Sequence, residues 1–269
     1  MSDFGFYDGS QRFQNIASAL TVSAGTNPAF SAWTQLTASS PFQASAIWLL
    51  PFFGGSAGAA AAASWNIGVG PSGSQQIIIP NLAVCTGYDA AGLMDDYRRY
   101  PVNIPAGSAI YAQVAASDSS TNMQLYAMLE GGGIKNPSIG GNITAYGMSS
   151  NTTGTGVALP TSGSTAWTQI TAATTQDIKQ AILNLQYVSN VAGRYTLDLG
   201  IGPSGSEQVM VPTLPFITRA GSSTNGDNLS PSFLALPVSI PKGTRISFRV
   251  NWVSGTGTNP IYASIQGFC

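Results

Sequence analysis

The chain has 269 residues, enough for one large core or two of ordinary size, and only 8% of them are charged, with ten Lys/Arg set against eleven Asp/Glu. So weak a field, without any Lys/Arg run, excludes the basic footprint of a nucleic-acid-binding surface. Histidine is absent, which excludes Ser-His-Asp and Cys-His catalysis and removes the commonest metal ligand.

Residues 1–15, "MSDFGFYDGSQRFQN", carry an acid at position 3 and no basic stretch leading into a long apolar run. They read as an N-terminal arm, either docking on a neighbour through Phe4, Phe6, Tyr7 and Phe13 or equally a frayed terminus, and not as a signal peptide. The chain is therefore expected to stay in the cell that makes it. The segment "AWTQLTA", Ala32 to Ala38, brings the first prominent tryptophan, Trp33. Ala46 to Trp65 is uncharged and long enough to span a bilayer, yet Pro51 and the glycines 54, 55 and 58 interrupt it. A strand entering a loop is expected there, with no membrane association.

"GVGPSGSQQIIIPNL", Gly68 to Leu82, spells G-x-G-x-x-G, the spacing that cradles a dinucleotide pyrophosphate. That function needs a helix opening at the third glycine. Here Gly73 is followed by a β-branched run closed by Pro80, too short for a crossover helix. The stretch is a hairpin: Pro71 restricts φ, and Gly73 accepts a positive φ in a G-P-S-G turn. No cofactor is expected.

Asp89, Asp95 and Asp96, with Arg98 and Arg99, form the one dense charged cluster. Adjacent aspartates on a strand point to opposite faces, and the spacing fits no calcium loop, so neither a hydrolase pair nor a metal site is expected. A solvated or interface loop, with Asp95, Asp96, Arg98 and Arg99 available for intersubunit pairing, remains. Cys85 and Cys269 do not form a spaced framework; a disulfide is allowed, and a reduced pair is the simpler reading.

Beyond the Gly-rich joint at residues 130–141 the chain repeats itself. "AWTQLTA" returns at Ala166 as "AWTQITA", displaced by 134 positions, and brings Trp167; the G-P-S-G hairpin returns at Gly200, displaced by 132. "PVNIPAGSAI" returns at Pro237 as "PVSIPKGTRI" and "LYAMLEG" at Ile261 as "IYASIQG", both displaced by 136. A period of that length is a duplicated domain rather than a solenoid repeat. Within each copy, short alternating strands punctuated by Gly, Ser and Pro argue for an antiparallel β-sandwich. One stretch, Thr175 to Ser189, opens like a helix but occupies the place of the Pro51 strand, and is read as strand. The expected fold is all-β, two tandem homologous jelly-roll-like sandwiches over residues 16–134 and 135–269, behind the arm at 1–15.

Trp33 and Trp167 recur at one repeat position, as core or interface residues or, if exposed, as sugar-stacking platforms. The pairs "IGVGPSGS" with "YPVNIPAGSAIYAQV" and "LGIGPSGS" with "LPVSIPKGTRISFRV" resemble segments of virion structural proteins of tailed bacteriophages. The resemblance covers most of both copies. It implies a non-enzymatic head decoration (cement) protein, or a tail or fibre component, with jelly-roll domains often assembled as a trimer. The implied partners are the major capsid protein or other virion proteins, in particles assembled in the bacterial cytoplasm. The alternative is a pair of carbohydrate-binding modules or a receptor-binding lectin.

Overall fold

The computed structural model describes residues 12–23, 25–26, 29–54, 61–86, 98–116, 122–132, 142–147, 155–187, 192–218, 236–256, 258 and 260–269. Among these there is no helix. The first half contributes β1 (Arg12–Ser23), β2 (Gly25–Thr26), β3 (Thr34–Thr37), β4 (Ala44–Gly54), β5 (Ala61–Val69), β6 (Gln76–Thr86), β7 (Arg98–Tyr100), β8 (Ile110–Ala116) and β9 (Asn122–Gly131). The second contributes β10 (Ile143–Tyr146), β11 (Thr155–Ala158), β12 (Thr168–Thr171), β13 (Gln180–Tyr187), β14 (Gly193–Ile201), β15 (Gln208–Thr218), β16 (Ile246–Gly255) and β17 (Pro260–Phe268).

Each half forms two facing sheets. In the first unit, sheet A runs β1-β9-β4-β7 and sheet B runs β2-β8-β5-β6, with β3 also on β8. In the second, sheet C runs β10-β17-β11 with β13 on the other side of β17, and sheet D runs β12-β16-β14-β15. The successive short strands β10 and β11 together take the place of β1. Among the described residues all strand pairings are antiparallel apart from the two-residue β2, which lies parallel to β8.

The duplication extends to irregularities. β3 slips by one residue on β8 between Gln35 and Thr37, and β12 slips on β16 between Gln169 and Thr171. β6 bulges opposite Trp65 and Ile67, and β15 bulges opposite Leu197 and Leu199.

Period-2 alternation explains why these segments are strands. Along β9, Met123, Leu125, Ala127 and Leu129 are buried, while Gln124, Tyr126 and Met128 between them are half-buried on the outer face. One core lies between sheets A and B around Trp65, Ile47, Leu49, Ile67 and Leu125, and a second between sheets C and D around Tyr195, Leu197, Phe248, Leu183 and Ile265.

The stretch with a helix-like start is strand β13, because Ala181, Leu183 and Leu185 alternate into the second core. Within the uncharged run 46–65, β4 and β5 account for the two ends, and residues 55–60 lie outside the described residues. Among the described residues no helix is long and apolar enough to cross a membrane. Of the leader 1–15, residues 12–15 already belong to β1.

Candidate functional surfaces

The glycine motif is a hairpin in both copies. Val69 pairs with Gln76 and Ile201 with Gln208. Ser74 N donates to the Pro71 carbonyl, and Ser206 N to the Pro203 carbonyl, each at 3.0 Å. Gly73 and Gly205 sit at φ +84° and +82°, the left-handed region that L side chains rarely adopt. Gly68 and Gly200 serve a different purpose. A Cβ on Gly68 would lie 2.9 Å from Cη2 of Trp33, and one on Gly200 would lie 2.7 Å from Cη2 and Cζ3 of Trp167. The first glycine of each motif thus leaves room for an indole to rest on the strand.

Trp33 and Trp167 are half-buried at corresponding positions of sheets B and D. Trp167 has company: the Arg249 guanidinium lies 4.8 Å from its ring centroid. Arg249 Nε also donates to Asp198 Oδ2 at 2.8 Å. Asp198 Oδ1 accepts from Thr213 N at 2.8 Å, which fixes the backbone where Thr213 takes φ +51° in the β15 bulge. Burial pushes the Asp198 carboxyl up, but Thr213 N, Arg249 and Asn251 outweigh it and hold the pKa below its ordinary value.

The first unit builds the same bulge without charge. Asn81, at φ +47°, donates its amide to Asn66 Oδ1 at 2.8 Å, and Asn66 faces Gln113 across the strands as Asp198 faces Arg249. The turns differ likewise. Glu207 accepts from Gly205 N at 2.9 Å and from Arg245 Nη1 at 2.8 Å; Gln75 and Ala109 stand at those positions in the first unit. These ion pairs brace a sheet and, among the described residues, leave no convergent acid and base around an open space.

The arginines of the predicted charged cluster are used within the chain. Arg98 is buried and donates from Nη1 to the Ala83 carbonyl at 3.1 Å and to Asn184 Oδ1, on the second unit, at 2.8 Å. Arg99 points the other way, to the outer face of sheet A. There its Nε and Nη2 hold the two oxygens of Glu130 at 2.9 and 2.8 Å. Trp48 Nε1 donates to the same carboxylate at 2.7 Å. Asp89, Asp95 and Asp96 lie outside the described residues. Cys269 is a free thiol near Thr144 Oγ1 at 3.7 Å.

Arg98 belongs to a contact that sequence reasoning missed, the seam between the units. The side of the first sandwich bounded by β6 and β7 abuts the outer face of sheet C. Tyr100 donates to Gln266 Oε1 at 2.9 Å, and Gln266 Nε2 donates to the Pro80 carbonyl at 2.8 Å. Burial pushes the Tyr100 hydroxyl pKa up, with the Arg98 charge opposing, so it stays a neutral donor. Phe268 stacks on Tyr100 with centroids 6.3 Å apart, and Ile143, Ile182 and Phe268 of the second unit join the first unit's core. The available signal was comparative: Arg98 and Tyr100 correspond by the repeat to Leu234 and Leu236.

At the far end of sheet D, Arg194, Ile217, Thr218, Ser254 and Gly255 line a shallow, open hollow of about 510 Å³. Ile217 and Val253 are about half exposed, at 51% and 52%, and Trp252 is 38% exposed. Among the described residues no group of Cys, Asp or Glu is placed to hold a metal ion.

The strand pairings define an all-β protein made of two tandem sandwich units. No family model matches the chain, and no curated protein matches it. Among solved structures it is similar to the N-terminal CBM22-1-CBM22-2 tandem domain of Paenibacillus barcinonensis Xyn10C, at 11% identity over 97% of this chain and 93% of that chain, with a TM-score of 0.28.

Proposed function

We propose that the chain is a non-enzymatic structural component of a tailed-phage virion, a head decoration or cement protein acting through contacts between protein surfaces. The seam carries this reading: two sandwich units are fastened side to face by buried hydrogen bonds and a shared apolar core, and the corresponding pair of surfaces at the chain's two ends is left apolar and partly exposed. A surface poor in charge is covered by a neighbour at little desolvation cost, which suits permanent assembly. The test is to purify particles by density banding from cells producing them and to probe the banded material for this chain by mass spectrometry. Stoichiometric presence on full and empty heads is the expected result; absence from every particle fraction overturns the reading.

One observation favours a second reading, a pair of glycan-binding modules: Trp33 and Trp167 are half-exposed at the same place in both units. A glycan array separates the two. Under the glycan reading Trp167→Ala abolishes a measured signal. Under the structural reading the wild type gives no signal, and the substitution destabilises by about 1.5–2.5 kcal/mol, roughly half the cost of removing a fully buried aromatic side chain.

A further inference from the structure

The seam joins two unlike surfaces, the β6–β7 flank of the first unit and the outer face of sheet C of the second. Because the units are homologous, each also carries the surface that the other uses. The second unit's flank is β15 with Leu236, which bridges to Ala181 much as Tyr100 bridges to Ile47. The first unit's face is the outer side of sheet A.

Comparison of the two flanks shows what the seam covers. On β6, Ile79, Leu82 and Ala83 are 0%, 0% and 1% exposed. Their counterparts on β15 are less covered: Val211 and Leu214 pack against the second core yet stay half-buried, and Pro215 is exposed. Ile77 and Val209 are 49% and 44% exposed in the two units, so this end of the strand lies beyond the contact. The faces differ in the same sense. Asn184, Gln186 and Ser264 on sheet C are buried, whereas Trp48, Leu50 and Met128 on sheet A are half-buried and Phe13 beside them is 47% exposed.

The chemistry has switched on both partners of the pair together. Inside the chain a polar flank, Arg98 and Tyr100, meets a polar face, Asn184 and Gln266. At the ends, Leu236, Leu214 and Val211 form an apolar flank. The corresponding face is Trp48, Leu50 and Met128, and its Glu130, at the position of Gln266, is neutralised by Arg99. β15 has no charged residue. Its prolines, Pro212 and Pro215, remove two amide donors from an edge strand, which disfavours strand addition and leaves side-chain packing as the mode of contact.

We propose that the occupant is a second copy of this chain: the β15 flank of one chain docks on the outer face of sheet A of the next, repeating between chains the contact that joins the units within one. The contact is head-to-tail, so each chain retains one flank and one face, and copies add until a ring closes or a filament grows. This inference rests on the reading of the chain as an assembly protein and names its first partner.

Sedimentation velocity on Pro215→Arg, Met128→Arg and Val209→Lys tests it. Pro215 is exposed, so its substitution leaves the fold intact and carries the test even if Met128→Arg misfolds. Pro215→Arg and Met128→Arg each sediment at the chain mass of 27.7 kDa, while Val209→Lys assembles like the wild type. Mixed in equal amounts, the two blocked variants form a dimer and nothing larger, because one good flank meets one good face. A monomeric wild type at its highest soluble concentration, or wild-type assembly by Pro215→Arg, overturns the inference. Absence from particles with this pattern intact overturns the virion reading alone; presence on particles with a monomeric wild type overturns the head-to-tail contact alone.

Discussion

Replacing Gly200 with alanine probes the most specific packing in either unit. The added Cβ would lie 2.7 Å from two carbons of the Trp167 ring, whereas optimal carbon contacts are about 3.5 Å or longer. The indole must withdraw by roughly 0.7–1 Å or the strand must shift, and overpacking of this kind costs about 1–3 kcal/mol. Gly200 has an ordinary strand φ, so alanine also regains the roughly 0.5–1 kcal/mol that glycine loses in a strand interior. The net destabilisation is about 0.5–2 kcal/mol, read as a lower urea midpoint. In a Trp167→Leu background the obstruction is gone, and Gly200→Ala becomes neutral or stabilising, with a coupling of about 1–3 kcal/mol across the double-mutant cycle. An equal cost in both backgrounds, or no cost in either, refutes the claim that the glycine makes room for the indole. Gly68→Ala with Trp33→Leu repeats the experiment in the first unit.

Acid titration separates the units, because only the second carries the Asp198–Arg249 pair. The folded pKa of Asp198 lies below its unfolded value of about 3.9, so its contribution is complete above that value and fades as pH falls through the folded pKa. Asp198→Asn therefore lowers urea stability by a constant amount above about pH 5, and the gap to the wild type closes below about pH 4; a gap independent of pH down to 2 contradicts the assignment. Arg98→Ala removes the donor to Ala83 and Asn184 at the seam and costs about 1–3 kcal/mol. Calorimetry should then resolve two transitions, one per unit, where the wild type shows one; a single unchanged transition means that the seam does not couple them. Arg99→Ala leaves Glu130 buried beside Trp48 without its cation. It lowers stability, read as a lower urea midpoint at neutral pH; an unchanged midpoint argues against the ion pair.

The parts of this fold written in local sequence were legible. Duplicated landmarks gave two units, alternation along "LYAMLE" and "IYASIQ" gave strands, and the run closed by Pro80 separated a hairpin from a phosphate loop. The first glycine of each motif has no role of its own in the sequence reading, because its partner is an indole 35 residues earlier in the first copy, and periodicity carries no signal across that distance. The rarity of charge drew the sequence reading to Asp95, Asp96, Arg98 and Arg99 as an intersubunit cluster. The described members have partners within the chain: Arg98, buried, reaches Asn184, 86 positions away, and Arg99, on the outer face of sheet A, reaches Glu130, 31 positions away. The seam was illegible for the same reason, since its polar groups are single residues on separate strands that only the docked sandwiches bring together. Subtracting one copy from the other, Arg98 against Leu234 and Tyr100 against Leu236, is the sequence-level signal that exposes it.

The account stands or falls most directly on the native mass of the purified chain, measured by light scattering behind a sizing column and repeated at tenfold dilution. An assembly protein built head to tail gives a fixed multiple of 27.7 kDa, or a growing series of multiples, that persists through the dilution. A mass of one chain at both concentrations contradicts it.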